Sequence, residues 1–474
     1  MHTSDQSVPA AIPGECQALL SLSLTMLLSS LGTSIANVAL PTLMDVFSAS
    51  FQQVQWVVLS YLLAITTLIV SAGRLGDMFG RRPLLLGGVA LFTLASLLST
   101  YPSLPVLIAT RALQGLGAAL MMALSMAYVA DIVPKERTGR AMGLLGTASA
   151  IGTAMGPSLG GLLIGSLCWQ AVFAANVPLG IAALLLLQRN LPAVTKPRPT
   201  ARPSYDYTGT MLLGITLAAY ALAMTLGRGN WGLLNSALLG LTMLTAALFV
   251  ISQKRASAPL IKLSLLERPV LGAGLVMSAL VTSVVMATLV VGPFYLTYAL
   301  GLSTAQLGLV MTAGPLVAAF SGVPAGHLVD RYGPRSMTLL GLMLMLAGST
   351  GLALQPVTAG VPGYVLAISI TTAGYALFQA ANNTQVMTGM PPEQRGLVSG
   401  LLNLARNLGL ITGTAVMGAV FVAASKAATL AAGNTQATAS GMHITFAVAA
   451  VLIVLALLVG VCSRAPQIQT VSPS

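Results

Sequence analysis

The sequence predicts an all-α, polytopic membrane protein with 14 transmembrane helices: two pseudo-symmetric six-helix bundles plus an inserted helix pair. Three observations support this prediction: an apolar composition, fourteen long apolar segments and two sequence patterns that recur at nearly the same spacing. Of the 474 residues, 56% are hydrophobic and only 7% are charged, against about 25% charged in an average soluble domain. This composition argues against a soluble enzyme, a nucleic-acid-binding protein and a disordered chain, and indicates a lipid bilayer as the surroundings.

Fourteen segments meet the requirement of about 20 mostly apolar residues for a membrane-spanning helix. The first 14 residues carry no Lys or Arg, so we expect span 1 to be a retained helix rather than a cleaved signal. Spans 7 and 8 are separated only by a short loop around Asn230. In chain order the predicted spans are 18–40, 53–72, 83–100, 104–130, 140–164, 169–187, 207–226, 233–252, 270–292, 305–325, 336–354, 361–382, 396–423 and 441–462.

The placement of Lys and Arg predicts the orientation. With these spans, eighteen of the 22 basic residues lie in loops or tails on the same side as the two termini. The other side holds only Arg228 and Lys426, while Arg111 and Arg406 lie within spans. Because cytoplasmic loops are enriched in Lys and Arg, we expect both termini in the cytoplasm. An odd number of spans would destroy this segregation.

Two patterns recur along the chain. The Gly, Asp, Gly and Arg residues of loop 73–82 reappear in 326–335 at an offset of 253, and the Glu- and Gly-containing pattern at 136–156 reappears at 393–413 at an offset of 257. Near-equal offsets indicate two homologous six-helix halves with spans 7 and 8 inserted between them. The predicted units are residues 1–187 (first bundle), 188–206 (cytoplasmic linker), 207–269 (inserted pair with a cytoplasmic loop) and 270–474 (second bundle and tail).

Two homologous halves favour a transporter, because halves that rock about a central site expose it to each side in turn. A membrane enzyme is an alternative that needs embedded clusters of acids, bases or nucleophiles, and the spans contain none. A sensor is another alternative, for which an appended cytoplasmic domain is expected. The sequence has no ATP-binding Gly-rich motif and no metal-ligand spacing, so we expect neither a cofactor nor a metal.

Four short motifs carry a family resemblance. Residues Gly73, Asp77, Gly80, Arg81 and Arg82 form the pattern Gly-x-x-x-Asp-x-x-Gly-Arg-Arg after span 2. The other three are Asn37-Val-Ala-Leu-Pro41 in span 1, Arg111-Ala-Leu-Gln114-Gly115-Leu-Gly117 in span 4 and Gly152-Thr-Ala-Met-Gly156-Pro157-Ser-Leu-Gly160-Gly161 in span 5. The combination resembles the Major Facilitator Superfamily. With fourteen spans, the chain is similar to the superfamily's fourteen-helix drug–proton antiporters over almost its whole length.

This resemblance implies a secondary transporter in the bacterial inner membrane. Its cargo would be small amphipathic molecules such as drugs or metabolites, exported by alternating access and coupled to protons. We expect it to act as a monomer. A facilitative or specific exporter of one neutral or anionic metabolite, without standard proton coupling, is the alternative within the same class.

The resemblance ties loop 73–82 to conformational switching. Asp77 lies at the cytoplasmic end of span 2, where it can pair with arginine and with a neighbouring helix N-terminus. Such a latch would hold the two halves together in one state, although the cations of the loop also fit a simple positive-inside anchor. The predicted switch residues are Gly73, Asp77, Gly80, Arg81, Arg82 and, in the second half with fewer charges, Asp330 and Arg335.

Arg111 is the leading candidate for transport or coupling. A buried arginine within a span is costly unless it is paired or hydrated, and Gln114 shares its helix face. Asn37, like Ser34 and Tyr61, is a candidate partner from spans 1 and 2. A structural arginine bonded to carbonyl groups is the alternative. Asp131, at the inner end of span 4, is either a proton-coupling residue or a salt-bridge partner in the loop.

Three spans carry further patterns. Four glycines (Gly152, Gly156, Gly160 and Gly161) allow close helix approach in span 5, and Pro157 permits a kink, which together predict a packing hinge. In span 13, Asn403, Arg406 and Asn407 form one polar stripe that lines a cavity or pairs with another helix. Gln379, Asn382 and Asn383 form a weaker patch in span 12. The position of Arg406 corresponds to Ser149 in the first half.

The spans lack a central carboxylate. All ten Asp and Glu residues fall in tails, loops or helix ends. In the resembled family an aspartate commonly occupies the span-1 position that is Gly32 here, at a depth similar to that of Arg111. We therefore expect a neutral-to-positive cavity, with Arg111 and Arg406 as its uncompensated cations, that favours neutral, zwitterionic or anionic cargo. Asp77, Asp131 or a carboxylate of the substrate would then carry the proton.

Overall fold

The computed structural model describes residues 15–133, 138–191, 206–226, 232–256, 259–260, 268–388, 392–432 and 434–463. Within these ranges the chain is helical and contains no β-strand. Fourteen helices are long and apolar enough to cross a membrane. The predicted all-α membrane fold is therefore confirmed, including spans 7 and 8. Most of the predicted linker 188–206 lies outside the described residues.

Helices α1 to α14 carry the numbers of the spans. The first half contains six of them, and α6 is interrupted by a turn at Ala175. Their bounds are α1 Glu15–Phe47, α2 Phe51–Phe79, α3 Arg81–Leu98, α4 Leu104–Ile132, α5 Thr138–Ser166 and α6 Ala171–Ala174 with Asn176–Asn190. The inserted pair consists of α7 Tyr207–Thr225 and α8 Leu233–Arg255.

The second half contains α9 to α14, and two of these helices include a π-helical turn. The bounds are α9 Pro269–Phe294 with the π-turn Tyr295–Ala299, α10 Thr304–Tyr332, α11 Pro334–Leu354, α12 Gly360–Met387, α13 Pro392–Thr412 with the π-turn Gly413–Met417 and the continuation Gly418–Ala432, and α14 Asn434–Cys462. Several helices run past the predicted spans, because hydropathy marks only the apolar part of a helix that continues into polar surroundings.

Matching helix ends recur in the two halves. Ser50 and Ser303 form capping boxes at the N-termini of α2 and α10, 253 residues apart in the sequence. Gly80 and Gly333, also 253 apart, precede α3 and α11 with φ angles of +90° and +83°. Only glycine adopts such angles readily, so both halves turn sharply at the same place.

Matching helix crossings recur as well. Gly117 of α4 packs so tightly on α3 that a Cβ atom at this position would lie 2.6 Å from the carbonyl oxygen of Gly88. In the second half, a Cβ at Gly374 of α12 would lie 2.6 Å from the carbonyl oxygen of Gly341 in α11. Small residues allow such backbone contact between membrane helices. The duplicated sequence thus produces the same close crossing twice.

The inserted helices are joined to each other at their polar ends. The Asp206 carboxylate caps α7 by accepting a hydrogen bond from the Gly209 backbone N–H at 2.7 Å, and it accepts another from Gln253 Nε2 of α8 at 2.6 Å. Between the helices, Thr216 donates to Thr245 at 2.9 Å. These bonds hold α7 and α8 as an antiparallel pair.

Helix α7 touches both halves. Its Thr210 shares a hydrogen bond of 3.0 Å with Ser71 of α2, and its Tyr220 donates to Thr412 of α13 at 3.2 Å. Helix α8 lies outside α7 and exposes much of its apolar surface. The pair therefore lies along the boundary between α2 and α13, with α8 on the lipid side.

The two halves also meet directly between α5 and α10. A Cβ atom at Gly161 would lie 2.5 Å from the Cα of Gly308, and one at Gly165 would lie 3.3 Å from the Cβ of Ala305. These residues lie near the end of α5 and the start of α10, on the side away from loop 73–82. The halves are consequently in backbone contact on that side.

An aromatic cluster joins the two halves at the same end of the molecule, on the boundary formed by α2, α9 and α13. Phe51 of α2 lies 4.8 Å from Phe294 and 5.6 Å from Phe421, measured between ring centroids. Next to these rings, Gln55 donates a hydrogen bond to the Thr414 backbone carbonyl. Tilted aromatic contacts add to the free energy of burial, so the halves also touch at this boundary, where the three rings line a cavity of about 220 Å³.

Candidate functional site

A cavity of about 120 Å³ lies among α9, α12 and α13 in the second half. Amides and hydroxyls form part of its wall, and aromatic and aliphatic side chains form the rest. Its lining residues belong to the helix halves nearer loop 73–82, opposite the end where Gly161 meets Gly308. They are Ser278, Thr282, Tyr375, Phe378, Gln379, Asn382, Asn383, Met387, Leu402, Asn403 and Arg406.

The polar stripe of α13 contributes two residues to this wall. Asn403 and Arg406 line the cavity, whereas Asn407 is half-buried next to it. Among the described residues, none accepts a hydrogen bond from the Arg406 guanidinium or forms an ion pair with it. No carboxylate belongs to the lining, so the cavity carries one positive charge and is otherwise neutral.

The patch predicted in span 12 joins the same wall. Asn382 is only 1% exposed, and its Nδ2 donates to the Gly274 carbonyl of α9 at 3.2 Å. Its Oδ1 has no partner among the described residues. Nothing in the sequence distinguishes Ser278, Thr282 and the aromatic lining, because single hydroxyls and aromatic rings on apolar spans are ordinary in a membrane helix.

Arg111 lies elsewhere, fully buried inside the first half. Its Nε donates to the Val57 carbonyl at 2.9 Å, Nη2 to the Gly32 carbonyl at 2.9 Å, and Nη1 to Gln114 Oε1 at 2.8 Å. The guanidinium also lies 4.1 Å from the centroid of the Tyr61 ring, a distance typical of a cation–π contact. Neutral acceptors and one aromatic face therefore stabilise this cation without a carboxylate.

The surroundings of Gly32 leave little room for a side chain. A Cβ atom here would lie 3.0 Å from the Tyr61 hydroxyl and 3.1 Å from the Phe92 ring. The Tyr61 hydroxyl is itself fixed, since it donates to the Ser29 carbonyl at 2.6 Å. The space that an acidic side chain would need beside Arg111 is filled by these two rings.

The remaining coupling candidates lie apart from Arg111. Asn37 donates to the carbonyl groups of Thr33 and Ser34 in its own helix, at 3.1 and 3.2 Å. Its Oδ1 is buried and has no partner among the described residues. The side chain of Asp131 lies outside the described residues. The structure thus brings Arg111 and Gln114 together but does not bond Asn37 to them.

The matched arginines of loops 73–82 and 326–335 bond to helix ends. Arg82 Nη2 donates to the Gln188 carbonyl near the end of α6 at 2.8 Å. Arg335 Nη2 donates to the Val461 carbonyl near the end of α14 at 3.2 Å. Cations at helix C-termini interact favourably with the exposed carbonyl groups and the helix dipole. Each arginine therefore fixes the last helix of its own half.

The other predicted switch residues each have different surroundings. Arg81 donates to the Ala127 carbonyl of α4 at 2.8 Å. Asp330 is exposed at the end of α10, and a side chain at Gly73 would meet open space. The side chain of Asp77 lies outside the described residues.

The glycine face of α5 lies against two helices. A side chain at Gly152 or Gly156 would collide with α1, and Gly160 also packs on α1. Gly161 instead faces α10, and Pro157 lies within the helix beside this contact. The small residues therefore bring α5 close to both its own half and the other one.

Comparison with known proteins places the chain in one family. A family model described as Major Facilitator Superfamily matches residues 22–414. The riboflavin transporter RibZ of Clostridioides difficile is 31% identical over 408 residues, covering 85% of this chain and 87% of that protein. The drug efflux pump JefA of Mycobacterium tuberculosis (strain ATCC 25618 / H37Rv) is 32% identical over 413 residues, covering 84% of this chain and 80% of that protein.

A solved structure has the same fold. A bacterial homologue of the human lysosomal transporter Spinster, in an inward-facing and occupied conformation, superposes with a TM-score of 0.70 at 16% identity. The superposition covers 96% of this chain and 97% of the other. The protein is a multi-pass membrane transporter rather than an enzyme, and the chain belongs to the Major Facilitator Superfamily.

Proposed function

We propose that the protein exports small amphipathic compounds, such as drugs or metabolites, across the bacterial inner membrane by alternating access. The observation that carries this proposal is the cavity among α9, α12 and α13, which combines amide groups, one cation and aromatic side chains. Such a mixed wall suits a cargo with a polar end and an apolar body. The similarity to the drug efflux pump JefA supports the direction of transport.

Alternating access is supported by where the halves touch. Gly161 and Gly308 are in contact on the side away from loop 73–82, while the cavity lies in the other half of its helices. With both termini in the cytoplasm, as the charge distribution predicts, this arrangement places the cavity toward the inside and the Gly161–Gly308 contact toward the outside. The units 1–187 and 270–474 would rock against each other, with the switch loops rearranging at their cytoplasmic ends.

The coupling ion proposed is the proton, carried by an acid outside the centre of the membrane. Arg111 is enclosed by neutral groups and Gly32 leaves no room for a carboxylate. Asp77 and Asp131 are therefore the proposed proton carriers, and a carboxylate on the cargo is the alternative. An uncoupled or specific exporter of a single metabolite is the second candidate, favoured by the similarity to the riboflavin transporter RibZ.

Transport in proteoliposomes with an imposed pH gradient tests this function. Neutral, anionic and cationic toxicants are compared, while a trapped pH-sensitive dye reports the internal pH. We expect movement of neutral or anionic amphiphiles, accompanied by proton flux that Asp131→Asn or Asp77→Asn removes. Cargo flux that persists without a proton gradient and leaves the internal pH unchanged would establish the uncoupled alternative. Strong export of a permanent dication would contradict the expected cargo charge.

A further inference from the structure

We propose that Arg406 is an anion-binding residue of the cavity and that the preferred cargo is an aromatic carboxylate. This inference rests on the proposed function, because it assigns the same cavity as the cargo site. The guanidinium binds the carboxylate, and the rings of Tyr375 and Phe378 contact the aromatic body.

The charge balance of the cavity is the first support. Arg406 is the one cation among the lining residues, which include no carboxylate. Among the residues that the structure describes, its guanidinium has no bonding partner. A guanidinium that lies within the depth of a membrane is costly without a counter-charge. A carboxylate on the cargo supplies that counter-charge and can accept two parallel hydrogen bonds from it.

The first half of the chain has a different residue at the position equivalent to Arg406. Ser149, which corresponds to Arg406, shares a hydrogen bond of 2.5 Å with Ser30, and this bond joins α5 to α1. In the second half, Thr282 of α9 donates instead to the backbone carbonyl of Arg406 at 3.1 Å. The helices are again joined, but the guanidinium is left on the cavity wall. The first half therefore lacks an equivalent charge at this position.

The apolar wall sets the shape of the cargo. Tyr375 and Phe378 present aromatic side chains, with Met387 and Leu402 beside them. A flat aromatic body makes offset or edge contacts with such rings. Arg111 does not line this cavity, so the preference for anions comes from the second half alone.

Binding of a matched pair of probes to the purified full-length protein in nanodiscs tests the assignment. The probes are 6-hydroxy-2-naphthoate and 6-hydroxy-2-naphthamide, which share shape and ring donor but differ in charge. We expect the carboxylate to bind at least tenfold more tightly by isothermal titration calorimetry. The variant Arg406→Gln should remove this difference, and Arg406→Lys should restore part of it. Arg189→Gln, which replaces an exposed arginine at the end of α6, is the matched control and should leave both affinities unchanged.

A second variant keeps the arginine in place. Gln379→Glu introduces a carboxylate into the cavity wall, and we expect it to weaken binding of the naphthoate at least tenfold while the melting temperature stays near that of the wild type. The proposal is overturned if the wild type binds the two probes equally, or if Arg406→Gln keeps the preference for the carboxylate. Export of neutral drugs with no anion preference would contradict the anion site but not the export function. Arg406-dependent binding without any transport would contradict the export function but not the anion site.

Discussion

The guanidinium of Arg111 donates a hydrogen bond to the backbone carbonyl of Gly32 at 2.9 Å, joining α4 to α1. A carboxylate in this region would be expected to pair with the arginine. Here a carbonyl oxygen takes that place, and the rings of Tyr61 and Phe92 occupy the space where a side chain at position 32 would project. This arrangement makes the region a packed junction of helices, which leads to the first two predictions.

Replacing Gly32 by valine should destabilise the protein. The added carbons would meet the Tyr61 hydroxyl and the Phe92 ring, and overpacking of this kind costs about 1–3 kcal/mol. The control is Gly87→Val in α3, because a Cβ atom at position 87 would have no neighbouring atom within 4 Å. Thermal unfolding of both purified variants measures the effect, and equal melting temperatures would contradict the packing described around Gly32.

Replacing Arg111 by lysine should also destabilise the protein, although the charge is kept. A lysine ammonium cannot reproduce the fork that bonds to Val57, Gly32 and Gln114, and each lost bond to a buried charged group is worth about 1.5–3 kcal/mol. Arg406→Lys is the matched control, since that guanidinium lines a cavity and bonds to none of the described residues. A lower melting temperature for Arg111→Lys alone is expected. Two stable variants would point to a role for Arg111 other than packing.

A disulfide between α5 and α10 should lock the protein in the state described. The Cβ of a residue at 165 would lie 3.3 Å from the Cβ of Ala305, slightly closer than the roughly 3.5–4.5 Å found across disulfides. The pair Gly165→Cys and Ala305→Cys is placed in a background with the three exposed native cysteines, Cys16, Cys168 and Cys462, replaced by serine.

We expect oxidation to cross-link this pair and stop transport, and a reducing agent to restore it. Each single-cysteine variant serves as a control for oxidation of the protein. Full transport by the cross-linked protein would show that this end of the boundary stays closed throughout the transport cycle.

The two halves should respond alike to the same substitution. Gly117→Ala and Gly374→Ala each place a Cβ about 2.6 Å from a backbone oxygen of the neighbouring helix, so the helices must separate, at a cost of about 1–3 kcal/mol. Gly400→Ala, where nothing lies within 4 Å, should be neutral or slightly stabilising because alanine favours helix. Similar losses in melting temperature for the first two variants are expected, and a loss confined to one half would contradict equivalent packing.

Much of the fold follows from composition and repetition, because each span has its own apolar signal and the duplicated loops need only be aligned. The roles of the two arginines within spans do not follow in that way. Arg111 and Arg406 look alike in the sequence, as single cations in apolar helices. What separates them is whether neighbouring helices bring carbonyl groups and a tyrosine ring to the guanidinium, as around Arg111, or leave a cavity beside it.

Tertiary contacts also decide the composition of the cavity. The stripe in α13 predicts a polar face, and Asn382 in α12 predicts a weaker one, but only the crossing of these helices with α9 brings them to one wall. Thr282 contributes through a bond to a backbone carbonyl. Side-chain patterns within single helices do not reveal such a bond.

Helix α7 bonds to the first half through Thr210 and Ser71 and to the second half through Tyr220 and Thr412. If the halves rotate relative to each other, α7 cannot follow both. Its Gly214 also packs against Thr67 of α2, so the helix would travel with the first half while Tyr220 slides along α13. The inserted pair would then cover the moving boundary between α2 and α13. It would keep lipid acyl chains out of this boundary, which twelve helices alone would leave exposed to the bilayer.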